Sequence, residues 1–402
     1  MQTYELDPLP QLNIGIFTDS YRPYVSGVVR SIETFRRDLE RLGHRIFIFA
    51  PDYPGTKPEN NVFRYLSLPA PTQPDFFFPI PLSFRHSSII NSIQLDIIHV
   101  HTPFLMGTLG AAMARRFNLP LLFTYHTLYQ NYTHYFPMGR SISNQLLKRW
   151  NKNFCNRCDA IIAPSLFVKD LIRETGVNKP VHIIPTGLNL DEYYGNDHNW
   201  LKKRCNMYPW EKVILHVGRL AREKNVRFIL DVVQELSLNC LVPFKLVIVG
   251  TGPEENELKH LCHQKNIEKH VIFTGQVTYS ELLKCYSGGD IFVFASQTET
   301  QGIVLIEAKA SSMPVVALDA LCMDGIVTNG IDGFLVENKE TFVDKLRFLL
   351  ENEDRSREMG NMGKNNTANF SAPFLAEKLA RTYYNTLLQK INEQPLEKAP
   401  SR

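Results

Sequence analysis

The sequence predicts an α/β protein of two doubly wound, Rossmann-like domains facing across a cleft, and three features carry that prediction. Short apolar runs rich in Ile, Val and Phe alternate with stretches of helical spacing along nearly the whole chain. Strand, helix, strand in that order requires parallel strands, because the crossover helix must return across one face of the sheet. The alternation stops in a polar stretch near residue 190 and then restarts, and 402 residues suffice for two separate cores.

In the first half, LNIGIFT at 12–18 reads as a strand, Val28–Leu42 as a helix closed by Gly43, and RIFIFAP as the next strand. LDIIHVH, a helix in GTLGAAMARRF, LPLLFTYH, a helix over Ser141–Cys158, DAIIAPS, a helix over Phe167–Thr175 and VHIIPTG continue the series. The Asn- and Asp-rich stretch Leu188–Asn199 separates the halves. The second half then runs KVILHVGR, helix VRFILDVVQEL, FKLVIVGTG, helix NELKHLCHQK, VIFTGQV, helix SELLKCYSG, DIFVFAS, helix GIVLIEAKA and PVVALD. Residues 340–360 look helical, and Pro373–Lys390 form a last amphipathic helix before a polar tail. The expected domains are therefore 1–190 and 191–372, with 373–402 packing back toward the first. Open α/β sheets take ligands beyond the carboxyl ends of their strands, so the chemistry is expected where the two domains face each other.

Composition narrows the function. Lys and Arg number 44 against 41 Asp and Glu, a net charge of +3, which gives no support to nucleic-acid binding by bulk charge. Residues 1–190 hold 19 Lys and Arg against 13 Asp and Glu, a surplus suited to an anionic surface and also within ordinary scatter. No run of 18 apolar residues occurs, and the opening MQTYELDPLP lacks a secretion signal, so a membrane would be met from outside, on the cytoplasmic face. Seven scattered cysteines fit a reducing compartment better than a disulfide framework. Cys155 and Cys158 lack a second ligand pair, so they are read as helix packing and no metal is expected.

The sharpest chemical signal is ETQGIVLIE, in which Glu299 and Glu307 stand eight positions apart around Gly302, the residue that opens a helix after DIFVFAS. Free N–H groups at that helix start suit a diphosphate, and the carboxylates suit sugar hydroxyls; alone, the pair also fits a solvated helix face. Arg219 and Lys224, in GRLAREKN after the first strand of the second half, add two cations able to neutralise a leaving diphosphate. Gly250 and Gly252 form a tight turn where backbone can approach a ligand, or simply a βα loop. In the first half, Gly27 closes the loop TDSYRPYVSG before a helix, while His101 and His126 follow strands. Imidazoles there can share charge or donate to a sugar hydroxyl, or can be ordinary satisfied polar groups.

Together these residues closely resemble glycosyltransferase family 4, retaining enzymes of the GT-B fold, over nearly the whole chain. The resemblance implies that Glu299 contacts the donor sugar, Glu307 the ribose, Arg219 and Lys224 the diphosphate, Gly27 a phosphate, and Val277 the nucleobase. Gly252, Gln301, Gly302 and Ile303 join the donor-binding set, His126 meets the sugar near the reaction centre, and Tyr21, His101 and Tyr125 fall on the acceptor side. The strings FTDSYRPYVSGVVRSI, HVHTPFLMGTLG, TYHTLYQNYTHYF and TETQG look like the diacylglycerol glucosyltransferases of bacterial membranes. They imply UDP-glucose as the donor substrate, with no cofactor, and diacylglycerol as the acceptor. The chain departs from the family pattern at Ser312, where Gly is common, and in LCMDGI, which bears on donor preference more than on catalysis.

Two segments suit a peripheral enzyme on an anionic inner membrane face. DFFFPIP at 75–81 offers an aromatic wedge, and Gln145–Phe154 mixes Lys148, Arg149 and Lys152 with Trp150 and Phe154; burial of these aromatics in the core is the alternative. No Asp-x-Asp occurs, so transfer is expected to be metal-independent, with front-face attack within an ion pair and no protein nucleophile. Other readings are a GDP-mannose-dependent enzyme with a different acceptor, a non-hydrolysing epimerase, and a two-lobed sugar-binding protein.

Overall fold

The computed structural model describes residues 10–70, 73–81, 90–126, 140–296, 298–320, 323 and 325–393; the side chains of 73–75, 140–144 and 146 are also outside it. The opening segment, the acceptor string beyond His126, residues 321, 322 and 324 of LCMDGI and the tail beyond Glu393 therefore lie outside the described residues.

The chain divides into two compact units, one formed by residues up to Gly187 with those from Ala372 onward, the other by Leu188–Ser371. In the first, strands β1 (Asn13–Phe17), β2 (Arg45–Pro51), β3 (Val62–Tyr65), β6 (Ile97–Val100), β7 (Leu121–Thr124), β8 (Ala160–Ala163) and β9 (Val181–Ile183) form a sheet in the order β3-β2-β1-β6-β7-β8-β9. All its pairings are parallel, as expected of apolar runs buried on both faces. The helix Gly27–Arg41 starts where Ser26 Oγ accepts from Val29 N–H, and it buries Val29, Ile32, Phe35 and Leu39 at helical spacing. Ile32, Phe35 and Leu39 share one core with Leu375, Leu379 and Tyr383 of the terminal helix Ala372–Asn392. Each such fully buried side chain contributes about 1.5–3 kcal/mol.

The second unit has strands β10 (Lys212–Val217), β11 (Phe244–Val249), β12 (Val271–Gly275), β13 (Ile291–Phe294), β14 (Val315–Leu318) and β15 (Gly333–Val336), ordered β12-β11-β10-β13-β14-β15 and parallel throughout. Each sheet reverses its strand order once, at β1/β6 and at β10/β13. Those two points are where loops diverge at the carboxyl ends and leave room for a ligand.

Several elements differ from the sequence reading. β3 (VFRY) is interrupted by an Arg and β15 (GFLV) begins at a Gly, so neither stands out as an apolar run. Between β3 and β6 lies an antiparallel hairpin of β4 (Ser67–Ala70) and β5 (Gln73–Pro79), hidden by Pro69, Pro74 and Pro79, which ordinarily argue against a strand and here sit in an isolated two-stranded ribbon. The helical stretch at 340–360 is two helices, Lys339–Glu351 and Glu353–Asn365, broken at Asn352.

The expected aromatic wedge is altered by this hairpin. Phe76 packs edge-on against Tyr24 and Phe77 lies against Tyr53, whereas Phe78 is 46% exposed beside its cross-strand partner Leu68 (59%), with Leu66 (72%) adjacent. On the helix Arg140–Arg157, Trp150 stacks on Phe104 and Phe154 is buried, leaving Lys148 and Arg149 outward. That surface is cationic, and its aromatic part is the partly exposed Phe104–Trp150 stack with Phe154 withdrawn into the core. Cys155 and Cys158 are buried in the same core, and burial pushes the Cys155 thiol up to about 12.

Candidate functional site

In the second unit the loop after β10 and the loop after β13 meet at the switch point. Lys224 ends a single 3₁₀ turn, Arg222–Lys224, and Asn225 then turns the chain through a left-handed conformation into the helix Val226–Asn239. Ser296 Oγ donates to the Glu223 carbonyl at 2.9 Å and Asn225 Nδ2 to the Ala295 carbonyl at 3.4 Å, tying the two loops together. Across that tie the Lys224 ammonium is ion-paired with the Glu299 carboxylate. Arg219 is exposed and has no ion-pair partner among the described residues.

Gly302 adopts φ +62°, a conformation that favours glycine, and starts the helix Ile303–Ala310 without a side-chain cap. Gln301 is buried beside it and Ile303 is half-buried in the first turn. Glu307, expected to meet a ribose, is 1% exposed, and its two oxygens accept from the Tyr193 and Tyr286 phenols at 2.9 and 2.6 Å. Burying a carboxylate costs free energy unless donors satisfy it, and two phenols do so here. Two residues on, Lys309 is buried with its Nζ 2.8 Å from Asp332, pinning this helix to the 326–332 loop through a further bond to the Ile326 carbonyl.

The glycine turn is packed closely against the neighbouring loop. A Cβ on Gly250 would stand 2.1 Å from the Gly218 carbonyl oxygen, and one on Gly252 would stand 2.3 Å from that of Leu220. Gly252 thus serves backbone-to-backbone packing of two loops, and its missing side chain faces the chain itself. Val277 is half-buried in the loop between β12 and the helix Tyr279–Ser287, which Thr278 and Glu281 close with a capping box.

In the first unit, Asp19 follows β1 and caps the helix Leu105–Phe117, which has no cap of its own: its carboxylate accepts from Met106 N–H at 2.9 Å and from Thr102 Oγ1 at 2.6 Å. Burial pushes the Asp19 carboxyl up to about 6 against those hydrogen bonds. Gly27 opens its helix, and beyond its chain neighbours and its own helix no described atom stands within 4 Å of where a Cβ would be. His126 follows β7, and its Nε2 is 2.8 Å from Nδ1 of His101, which follows β6. His99, one residue pair earlier on β6, bonds Tyr383 Oη at 2.6 Å and Thr124 Oγ1 at 2.7 Å. Burial lowers all three imidazoles, His99 to about 3, His126 to about 4 and His101 well below its ordinary value.

The three residues expected on the acceptor side are all buried in this structure. Tyr21 is fully buried with its phenol on Glu33 and Arg36, Tyr125 is buried with its phenol accepting from Asn151 Nδ2 at 3.1 Å, and His101 is buried beneath His126. All three pack inside the first unit, whereas His126, expected at the sugar, is only partly buried. A cavity of about 820 Å³, lined among others by Arg115, Arg116, Arg157 and Lys390, lies at the opposite ends of the strands, where Leu121 opens β7, and contains none of the candidate residues.

Asp19, Tyr193, Tyr286 and the Lys309–Asp332 pair were missed by sequence reasoning. Tyr286 had a legible signal: it continues the apolar face of its helix three residues after Leu283, and a buried phenol needs a polar partner.

Comparison with known proteins fits this layout. Residues 201–366 match the family model described as glycosyl transferases group 1, and residues 25–192 match the one described as glycosyltransferase family 4. An alpha-monoglucosyldiacylglycerol synthase of Streptococcus pneumoniae is 35% identical, over 81% of this chain and 75% of that protein. One of Acholeplasma laidlawii is 29% identical over 95% and 99%, and a GDP-mannose-dependent alpha-mannosyltransferase of Corynebacterium glutamicum 27% over 86% and 82%. Among solved structures, sucrose-phosphate synthase of Thermosynechococcus elongatus superposes with TM-score 0.77 at 19% identity, covering 94% of this chain and all of that one. Alr3699/HepE of Anabaena, in complex with UDP-glucose, gives 0.74 at 17%, covering 93% and 100%.

Proposed function

Because the chain belongs to the glycosyltransferases of family 4 and group 1, with their GT-B fold and hexosyltransferase activity, we propose that it moves α-glucose from UDP-glucose to a diacylglycerol hydroxyl with retention of configuration. The observation that carries the chemistry is the Lys224–Glu299 ion pair at the β10/β13 switch point, beside the uncapped helix start at Gly302. A diphosphate at that helix start exchanges Lys224 from Glu299 onto the phosphates, and the released carboxylate is then free for sugar hydroxyls. Arg219, with no ion-pair partner among the described residues, adds a second cation. Negative charge grows on the diphosphate as the glycosidic bond breaks, so cations placed there lower the barrier more than they tighten ground-state binding. The departing phosphate accepts the acceptor's proton, and neither a protein nucleophile nor a divalent metal is required.

Glu307, held by its two tyrosines, is assigned to the ribose, Val277 to the base, Gly27 to phosphate and His126 to a sugar hydroxyl. The names of the relatives from Streptococcus pneumoniae and Acholeplasma laidlawii support glucose and diacylglycerol. The exposed Leu66, Leu68 and Phe78 and the outward Lys148 and Arg149 support peripheral attachment to an anionic membrane face; no described helix is long and apolar enough to cross a membrane. The mannosyltransferase relative favours a second reading, GDP-mannose with another acceptor.

The test is incubation of the pure protein with UDP-glucose, UDP-galactose and GDP-mannose over phosphatidylglycerol vesicles with and without diacylglycerol. Release of UDP with an α-glucosyl lipid, undiminished by EDTA, is expected. A mannosyl product selects the second reading, a β-linked product overturns retention, and loss of turnover on chelation overturns metal independence.

A further inference from the structure

Two hydrogen-bond donors at the carboxyl ends of β2 and β3 are buried without an acceptor. Tyr53, in the loop after β2, is 5% exposed, and its Oη meets no hydrogen-bond acceptor among the described residues. The Tyr21 backbone N–H beside it can only donate, which leaves the phenol proton unused. Arg64, in β3, donates Nη1–H to the Pro51 carbonyl at 2.9 Å and sets its guanidinium over the Tyr21 ring at 5.3 Å, while its buried Nε–H has no partner among the described residues. Burial pushes the Tyr53 phenol up to about 12 and lowers the Arg64 guanidinium, and each group bears electrostatically on the other, so the two are neighbours and Tyr53 keeps its proton. A buried donor left unpaired is destabilising, and two side by side call for acceptor oxygens.

The surroundings say what kind. On one side the Tyr53 ring lies 5.2 Å from that of Phe77 in the β4–β5 hairpin, and Leu66, Leu68 and Phe78 of that ribbon and its approach are exposed. On the other, Asp19 of the loop after β1 acts on the same phenol, its carboxylate already taken by Met106 and Thr102. From ribbon to switch point the order is therefore apolar surface, two donors, then the loops of the site. A matching ligand has apolar chains, acceptor-only oxygens in the middle and its reactive group beyond them. The ester carbonyls of a diacylglycerol are such oxygens. Asp52 and Glu59 already act on Arg64, so a neutral carbonyl suits this place better than a phosphate.

We propose that Tyr53 Oη–H and Arg64 Nε–H bind the ester carbonyls of the lipid acceptor and so determine acceptor specificity. The choice of a diacylglycerol rests on the functional reading above; the pair of unused donors does not.

The experiment has two arms that fail separately. Dioctanoylglycerol labelled with ¹³C at its carbonyls, carried in detergent micelles, should show those resonances shifted downfield on binding to the full-length protein. Tyr53→Phe, which keeps the ring against Phe77, should shrink the shift. No shift with the wild type overturns the proposal, whatever the enzyme transfers. In kinetics, wild-type acceptor KM should be about tenfold lower for dioctanoylglycerol than for its ether analogue dioctylglycerol, which lacks carbonyls, and Tyr53→Phe should reduce that ratio to about twofold with nucleotide-sugar KM unchanged. Arg64→Lys, which retains the charge and loses Nε–H, should lower the ratio too. Equal KM for ester and ether in the wild type, or the wild-type ratio persisting in Tyr53→Phe, overturns the proposal. A carbonyl shift without transfer from any nucleotide sugar leaves the lipid site standing and counts against the functional reading alone.

Discussion

Lys224 and Glu299 are 75 residues apart in sequence and joined as an ion pair in the second unit. Lys224→Ala should lower kcat by about 10³, because the ammonium acts on charge that develops only as the diphosphate leaves. The pair is partly solvated, so the urea midpoint should move by no more than about 1 kcal/mol in equivalent stability. Steady-state kinetics beside urea melts check both; an unchanged kcat removes Lys224 from the chemistry.

Tyr286→Phe deletes the 2.6 Å donor to buried Glu307. The cost should be about 1–3 kcal/mol of stability, since a carboxylate loses one of its two phenols while remaining buried. Donor KM should rise more than kcat falls, a division read from initial rates at varied nucleotide sugar. A kcat effect with KM unchanged would separate Glu307 from donor binding.

Leu68 and Phe78 are cross-strand partners on the exposed face of the hairpin. Replacing Leu68 with Asp removes apolar area from a membrane contact and adds a charge repelled by anionic lipid, so co-sedimentation with phosphatidylglycerol vesicles should fall about tenfold or more. Thermal unfolding should be nearly unaffected because the side chain is mostly exposed. Undiminished co-sedimentation excludes the hairpin from the membrane surface.

Ser312 sits at φ +61°, a left-handed conformation, just after the helix Ile303–Ala310. Ser312→Gly relieves about 1 kcal/mol of backbone strain and should raise the melting temperature. A lower melting temperature would mean that the serine makes a compensating contact.

Stability should fall on acidification below pH 6.5. His99, His126 and His216 are lowered to about 3, 4 and 4 by burial, and His101 lies well below its ordinary value. The unfolded chain binds protons at these positions first, so native stability is complete above 6.5 and is lost as pH falls toward about 4. Asp19, raised to about 6, works the other way between its ordinary value and about 6, one group against four. Urea melts from pH 4.5 to 7.5 should show a positive net slope, and His216→Asn should reduce it by about one proton. A flat profile contradicts neutral burial of these imidazoles.

The two doubly wound units were legible because parallel strands buried on both faces read as apolar runs with helices between them. β4 and β5 were not, since their prolines disguise a hairpin that stands apart from both main sheets. At the site, the sequence pointed to Lys224, Glu299 and Gly302 because their loops begin where strands end. It could not show that Glu307 would be enclosed by Tyr193 and Tyr286, 114 and 21 residues away, or that Gly252 faces a neighbouring loop. Such pairings come from which loops the topology brings together, information that local spacing does not hold.

The terminal helix completes the core of the first unit, with Tyr383 bonded to His99, although 184 residues of the other unit intervene between Leu188 and Ser371. On the ribosome, the amino-terminal body therefore waits unfinished until the final helix emerges, while the inserted one can close first. Gly187 and Ala372 lie in contact, a Cβ on the former falling 2.5 Å from the Cα of the latter. The insertion leaves and returns at one spot, so splicing these ends with a short linker yields an autonomous body, whereas a stop codon after Ser371 strands a half-built one awaiting degradation.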